Sequence, residues 1–523
     1  MEKAISLEMP PVAAVEETVD RNALRRSAIA FTVLLAALLL GLLGDGLLRQ
    51  VPWGLNVPLW VGAVVGTVFA LLKLQRIPTE GDGRWLWLAA LFFAAGIAWR
   101  SSPTLIGLCL LATAVALALA AHYTVRGRSR RAGLLDYVAV NLLSTFHAAF
   151  GTLPLVFSEV KWGKLPRNQL TRVALPLLRG LLIAVPLLIL FGTLFMAADA
   201  VFQGLVTDLL DIDLSKLISH LILIGFFTWI SVGFLRYVVI ERYLAANRAE
   251  PSTVTSPVQL GPIEVGVVLG LLNLLFIAFV LVQFRYFFGG AALIEASVTL
   301  SYAEYARRGF FELVTVAALV LPLLLAMHWI ARADTATERR LFRGLAALLI
   351  ALLFVIMLSA IQRMRLYQAE FGLTELRFYT SVFMGWLAVL FIWFVATVLR
   401  GQRNRFIFGA LVTGFLTIGL LLSINPDALI VRTNVARALS PTVERSFDGR
   451  YLGSLSDDAI PTLLELWPDL TPAQQCDVVL ALDDRSFPAR TEADAPSDWR
   501  SWNWSRARAA SLLQQEAFGT SCR

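Results

Sequence analysis

Apolar runs broken by short polar stretches recur along most of the chain. They lie near 28–48, 55–74, 85–100, 103–123, 174–198, 217–240, 263–287, 309–330, 343–361, 379–399 and 405–424. Each approaches the ~20 residues that an α-helix needs to cross about 30 Å of hydrocarbon, so the pattern predicts about eleven membrane-spanning helices. The stretch 134–157 resists that assignment, because Asp136, Asn141, His147, Gly151 and Pro154 interrupt its apolar patches. Beyond 425 the long runs stop. There Ser456 heads a predicted short helix through Glu465, and Thr471, Pro472 and Gln474 combine a cap, an N1 proline and a capping-box glutamine. A third short helix is predicted near Ser505, after Trp499, Trp502 and Trp504. The expected fold is all-α: a polytopic transmembrane bundle with a small helical extramembrane module at the C-terminus.

Composition agrees. Of the 523 residues 57% are hydrophobic and 16% charged, where a soluble chain carries roughly a quarter charged. The net charge of +7 does not argue for nucleic acid, since the basic residues sit in short loops between apolar runs and orient them against an anionic leaflet. Residues 1–23 mix Glu2, Glu8, Glu16, Glu17 and Asp20 with Pro10 and Pro11, unlike the basic start of a signal peptide. They read as part of a disordered tail over 1–27.

Loop charge sets the expected topology. With Arg21, Arg25 and Arg26 inside, the clusters Lys73/Arg76/Arg84, Arg126–Arg131, Arg242/Arg248, Arg332/Arg339/Arg340 and Arg400/Arg403/Arg405 also fall inside. Lys161, Lys164, Arg167 and Arg172 join them only if 134–157 does not cross. That stretch is therefore read as a cytoplasmic-side segment, either an amphipathic helix in the interface or a re-entrant half-helix. An odd number of crossings then puts the C-terminus outside a cytoplasmic membrane and the N-terminus in the cytosol. The expected divisions are 28–123 (four helices), 124–173 (interfacial), 174–424 (seven-helix core) and 425–523 (exterior module).

Two exterior stretches break the charge rule. In 301–313, Ser301 and Glu304 have capping-box spacing, Glu304, Arg308 and Glu312 repeat at four residues, and Arg307 adds charge. In 363–380, a helix is predicted to run out to Gly372, with Thr374 capping the next and Glu375 in its first turn. Arg363, Tyr367 and Glu370 share one side, and Arg365 and Arg377 lie near. Two readings stand: ion pairs and an aromatic belt that clamp helix ends, or arginine forks that face a carboxylate or phosphate. On the second, Glu304, Arg307, Arg308, Glu312, Arg363, Arg365, Tyr367, Glu370 and Arg377 are the candidate ligand-binding residues.

At YAEYARRGFFEL (302–313) and RMRLYQAEFGLTELRFYT (363–380) the sequence resembles a bacterial family of polytopic membrane proteins known only as a domain of unknown function. NPDALIVRTNVARA (425–438) and YLGSLSDDAIPTL (451–463) are similar to its tail, and the resemblance runs from about Leu134 to the C-terminus. It implies an integral membrane protein and supplies no catalytic residue.

The remaining chemistry is sparse. Cys109 lies in a span, whereas Cys476 and Cys522 share the exterior module and either pair as a disulfide or stand as separate thiols. His122, His147, His220 and His328 are scattered, so no metal is expected, and no cofactor motif is present. Asn273 and Gln283 are candidates for hydrogen bonds between helices. Three function classes follow: transport or handling of an anionic or lipidic ligand from the outer side, an enzyme acting on a lipid-linked substrate at the outer leaflet, and a non-catalytic envelope scaffold or signalling protein. The bilayer is the one partner composition requires.

Overall fold

The computed structural model describes residues 12–77, 83–124, 134–160, isolated positions between 184 and 204, and 214–245, 260–288, 310–331, 335–440, 447–490 and 498–515. Their helices are α1 (Val12–Leu48), α2 (Asn56–Leu74), α3 (Arg84–Trp99), α4 (Pro103–Tyr123), α5 (Leu134–Phe150) and α6 (Thr152–Glu159). Next come α7 (Leu214–Ala245), α8 (Pro262–Phe288), α9 (Phe310–Ile330), α10 (Ala336–Phe371), α11 (Glu375–Thr397) and α12 (Arg403–Ile424). The C-terminal elements are α13 (Pro426–Ala438), α14 (Gly449–Ser454), α15 (Ile460–Glu465), α16 (Pro472–Arg490) and α17 (Trp504–Gln515). Among the described residues, extended structure is limited to one bridge between Leu260 and Ala331.

Nine of these helices are long and apolar enough to cross a bilayer, or ten if the bent pair α5–α6 counts as one. Helix α3 is apolar but has 16 residues. Of the run at 174–198, positions 184, 187, 191, 192 and 194–198 are described. Leu88 and Leu142, 69% and 66% exposed on the bundle surface, belong to the apolar exterior that such spans turn to lipid tails. The protein is a polytopic α-helical membrane protein.

Helices α1 and α7 pack antiparallel. Asp45 near the end of α1 meets His220 near the start of α7, and Arg26 and Arg236 share a carboxylate at the other end. Their backbones approach because α1 presents glycine: a Cβ on Gly41 would lie 1.9 Å from Thr228 Oγ1, and one on Gly44 2.8 Å from the Phe227 ring.

The bundle has two distinguishable ends. The module end gathers the α1–α2 loop, the α3–α4 loop, the α10–α11 tip and the end of α12, each of which contacts residues beyond 425. The far end holds Arg26, His122, Arg236 and the Leu260–Ala331 bridge.

The bent pair settles against α7. Helix α5 ends at Phe150, the residue whose carbonyl the ring of Pro154 would strike, and Gly151 supplies the break. The bend is 49°. Thr152 Oγ1 donates to the Trp229 carbonyl at 2.8 Å, and Trp229 Nε1 donates to the Ala149 carbonyl at 2.6 Å. His122 pairs with Tyr237 at 2.7 Å, while Glu159 pairs with the adjacent Arg236, also at 2.7 Å. The end of α4 and the end of α6 thus both meet α7, at the adjacent residues Tyr237 and Arg236.

Helix α10 starts on a reciprocal Thr335–Glu338 capping box and ends at Gly372, where φ is +77°. Thr374 occupies the N-cap of α11 without a side-chain bond. Instead the Glu375 N–H donates to the Tyr451 hydroxyl at 2.8 Å. Beyond α12 a second small core forms around Leu373, Ile430, Val431, Leu452, Leu463 and Val478. The Thr471–Gln474 capping box is present. The helix expected to begin at Ser456 starts at Ile460; the Ser456 hydroxyl donates to Asp427 and accepts the Asp458 N–H at 3.3 Å in the turn before it.

Candidate functional site

Two features of the bundle can carry chemistry. The first is a pair of apolar cavities on either side of α5. One, of about 380 Å³, lies between α1, α2, α4, α5 and α7, and is lined by Leu40, Trp60, Ser144, Ala148, Ser231 and Phe234 among others. The second, of about 580 Å³, lies between α4, α5, α9, α11 and α12, with Leu111, Asn141, Leu321, Trp386, Ala410 and Gly414 in its walls. Exposed Thr145 and Ala149 rim the first, and exposed Leu111 and Leu142 the second, so both open onto the lipid-facing surface. Their few polar groups are mostly occupied: Ser144 Oγ and Thr145 Oγ1 donate to the Ala118 and Asn141 carbonyls. Such walls accept hydrocarbon and offer a charged solute little.

The second feature lies where the C-terminal module seats on the bundle. Asp458 is buried and caps α4 from the far side of the sequence: its Oδ2 accepts the Ser101 and Ser102 N–H groups at 2.8 and 2.9 Å. Its Oδ1 accepts the Ser505 hydroxyl and faces Arg100 Nη1 at 3.5 Å. Arg100 Nε in turn donates to the Leu422 carbonyl at 2.8 Å. Asn425, at φ +57°, caps α13 with Oδ1 and donates to the Asp458 carbonyl at 2.9 Å. Asn503 Nδ2 donates to the Ile97 and Arg100 carbonyls, and the Leu55 N–H to the Trp502 carbonyl. A Cβ on Gly54 would lie 2.3 Å from that same oxygen.

Beside Asp458 lie Asp427 and Glu375. Asp427 is fully buried; its Oδ2 accepts the Ser456 N–H and hydroxyl, and its Oδ1 has no partner. Burial pushes its carboxyl up to about 6. Burial also pushes the Tyr451 phenol up to about 12. Ser102 Oγ sits beside the Glu375 carboxyl and the Tyr379 phenol, yet neither that hydroxyl nor Tyr379 OH makes a hydrogen bond of good geometry. Asp458→Ala is expected to strip the α4 cap and leave Arg100 without its carboxylate. Limited proteolysis of the purified protein should then release the module at least about tenfold faster, the consequence of losing roughly 2 kcal/mol or more.

The residues singled out in the two exterior stretches are distributed as follows. Glu304, Arg307 and Arg308 lie outside the described residues, as does the side chain of Glu370. Glu312 and Arg365 are exposed. Arg363 Nη2 donates to Gln283 Oε1 at 2.7 Å, bridging α10 and α8. Arg377 lies 4.1 Å over the Tyr367 ring and donates to the Phe371 and Gly372 carbonyls, closing the end of α10. Asn273 is buried, donates to the Leu269 and Leu345 carbonyls, and lines neither cavity. Cys109 is free and buried, Cys476 is disulfide-bonded, and Cys522 lies outside the described residues. Among the described residues no three His, Cys, Asp or Glu side chains converge to hold a metal. Asp427 and Asp458 were not legible as a site, because in sequence they look like ordinary solvated acids of a polar tail.

The sequence profile of the family described as Domain of unknown function (DUF4153) matches residues 87–466. The chain belongs to this family. The match begins well before Leu134 and stops at Leu466, so the family covers α3 and α4 and omits α16 and α17. It includes both cavities' α4 and α5 walls and all three junction carboxyls. No curated protein and no solved structure matches the chain.

Proposed function

We propose that this member of the family handles an anionic lipidic ligand taken from the outer side of a cytoplasmic membrane. The observation that carries the reading is the 580 Å³ apolar cavity between α4, α5, α9, α11 and α12, open to the lipid-facing surface. Its walls suit an acyl chain. Leu321 and Trp386, which line it, lie nine residues from Glu312 and Arg377 on α9 and α11, about 13 Å at 1.5 Å per residue. A headgroup above that cavity would meet exposed Arg365 and Glu312; Glu304, Arg307, Arg308 and Glu370 join the candidates by sequence position, whereas Arg363, Tyr367 and Arg377 serve the helix ends. In this reading the module end is exterior, α5–α6 is a re-entrant segment on the cytosolic side, and Cys476 pairs with Cys522. The basic loops support that orientation.

The test is labelling by a diazirine-bearing anionic phospholipid in reconstituted vesicles. Gly414 lines the cavity, and a Cβ there would meet Trp386 at an ordinary 3.6 Å. Gly414→Leu should therefore fill the space without distorting the fold, cutting photolabelling at least about fivefold while thermal stability holds. Undiminished labelling of a folded Gly414→Leu protein would refute the assignment.

A further inference from the structure

We propose that the junction between the C-terminal module and the bundle binds a proton at Asp427, so that the module grips the bundle more tightly as the surrounding solution acidifies. The geometry is that of an acid with nothing to neutralise it. Asp427 is fully buried with one carboxyl oxygen unpartnered. The ionisable groups around it are mostly acidic: Glu375 and Tyr379 from α11, Asp458 from the turn before α15, and Tyr451 from α14, while Asp457 faces Arg506 of α17. Of the basic groups at the junction, Arg100 is engaged by Asp458 and the Leu422 carbonyl, and Arg506 by the Trp53 and Ser501 carbonyls. Arg377 is turned to the Phe371 and Gly372 carbonyls.

Two buried hydroxyls beside these carboxyls, Ser102 Oγ and Tyr379 OH, likewise make no hydrogen bond of good geometry. A carboxylate buried without a cation is costly, and taking one proton from solvent removes its charge. The protonated carboxyl gains an O–H donor among oxygen acceptors. A metal is the weaker occupant, since no three ligating side chains converge among the described residues.

The direction follows from burial. The carboxyl is raised from 3.8 to about 6 in the docked state. Docking thus gains as pH falls through about 6, and the gain is complete near pH 4. A shift of about two units corresponds to roughly a 100-fold change in the docking equilibrium.

Hydrogen exchange of the α13 amides, followed on the full-length protein in detergent, reads this directly and does not depend on topology. After correction for intrinsic chemistry, wild-type exchange should slow at least about tenfold between pH 7.5 and 5. Asp427→Asn, which keeps an acceptor for Ser456, should be slow at both. A wild type with no pH dependence, or an Asn variant that retains it, overturns the proposal. So does slowing by sodium, magnesium or calcium at pH 7.5 that Asp427→Asn abolishes. If Asp427→Asn does not fold, Ser456→Ala decides. It removes the hydroxyl hydrogen bond that favours the ionised form and keeps the backbone one, so the transition must move to higher pH, and an unmoved transition overturns the proposal.

Discussion

Gly233→Leu is expected to expel the bent α5–α6 segment from its seat on α7. A Cβ at Gly233 would lie 2.3 Å from the His147 carbonyl oxygen and 2.5 Å from that of Ala148. Both are backbone atoms, so no rotamer change relieves the collision. Gly151 approaches from the other side, with its would-be Cβ 3.2 Å from the Gly233 Cα. The two glycines are what allow the Thr152 and Trp229 hydrogen bonds to form. We expect Gly233→Leu to cost about 3 kcal/mol, the upper range of overpacking penalties, and Gly233→Ala to cost a large part of that. Equilibrium unfolding in mixed micelles measures it. Unchanged stability in the leucine variant would mean that α5 does not pack on α7 as described.

Glu159→Ala should have the second large effect. Its carboxylate accepts from Arg26 at 2.9 Å and from Arg236 through two nitrogens, at 3.1 and 2.7 Å. Arg236 is 8% exposed, so losing the carboxylate takes two hydrogen bonds and a counter-charge from a guanidinium held away from water. Breaking a buried pair from one side costs about 3–5 kcal/mol, whereas replacing both partners by apolar residues is often close to neutral. Glu159→Leu combined with Arg236→Met should therefore be markedly more stable than Glu159→Ala, with Arg26 free to turn toward solvent. Micelle unfolding of the single and double variants gives the coupling. A double variant no better than the single would show that Glu159 acts through α1 and Arg26 instead.

Glu159 also illustrates where sequence reading stops. The cluster Arg26, Arg236 and Glu159 spans residues 133 and 77 positions apart, and no periodicity connects them. Loop charge reads 134–157 as non-crossing, because four basic residues after it would otherwise break the alternation. Structure adds the cause of its bend, Gly151 followed by Pro154, and the contact of its end with α7 at Arg236. The end of α10 at Gly372 was legible for a local reason, the need for positive φ. Thr374 was legible as a cap position but not as an unused one, since Tyr451, which serves the next N–H, arrives from another element. Arg377 looked like half of an ion pair or an anion fork. The carbonyls at the end of its neighbouring helix and the Tyr367 ring account for it.

By itself the sequence determined that this chain lives in a bilayer and how its spans and caps are spaced. Those properties depend on run length, loop charge and backbone preference, all local. Tertiary structure alone decided that Asp427 and Asp458 are buried. Their desolvation comes from the α3–α4 loop, 356 residues from Asp458 at Ser102, closing over a tail whose composition looks solvated. A carboxylate's chemistry depends on the water it loses, and only the docked module excludes that water.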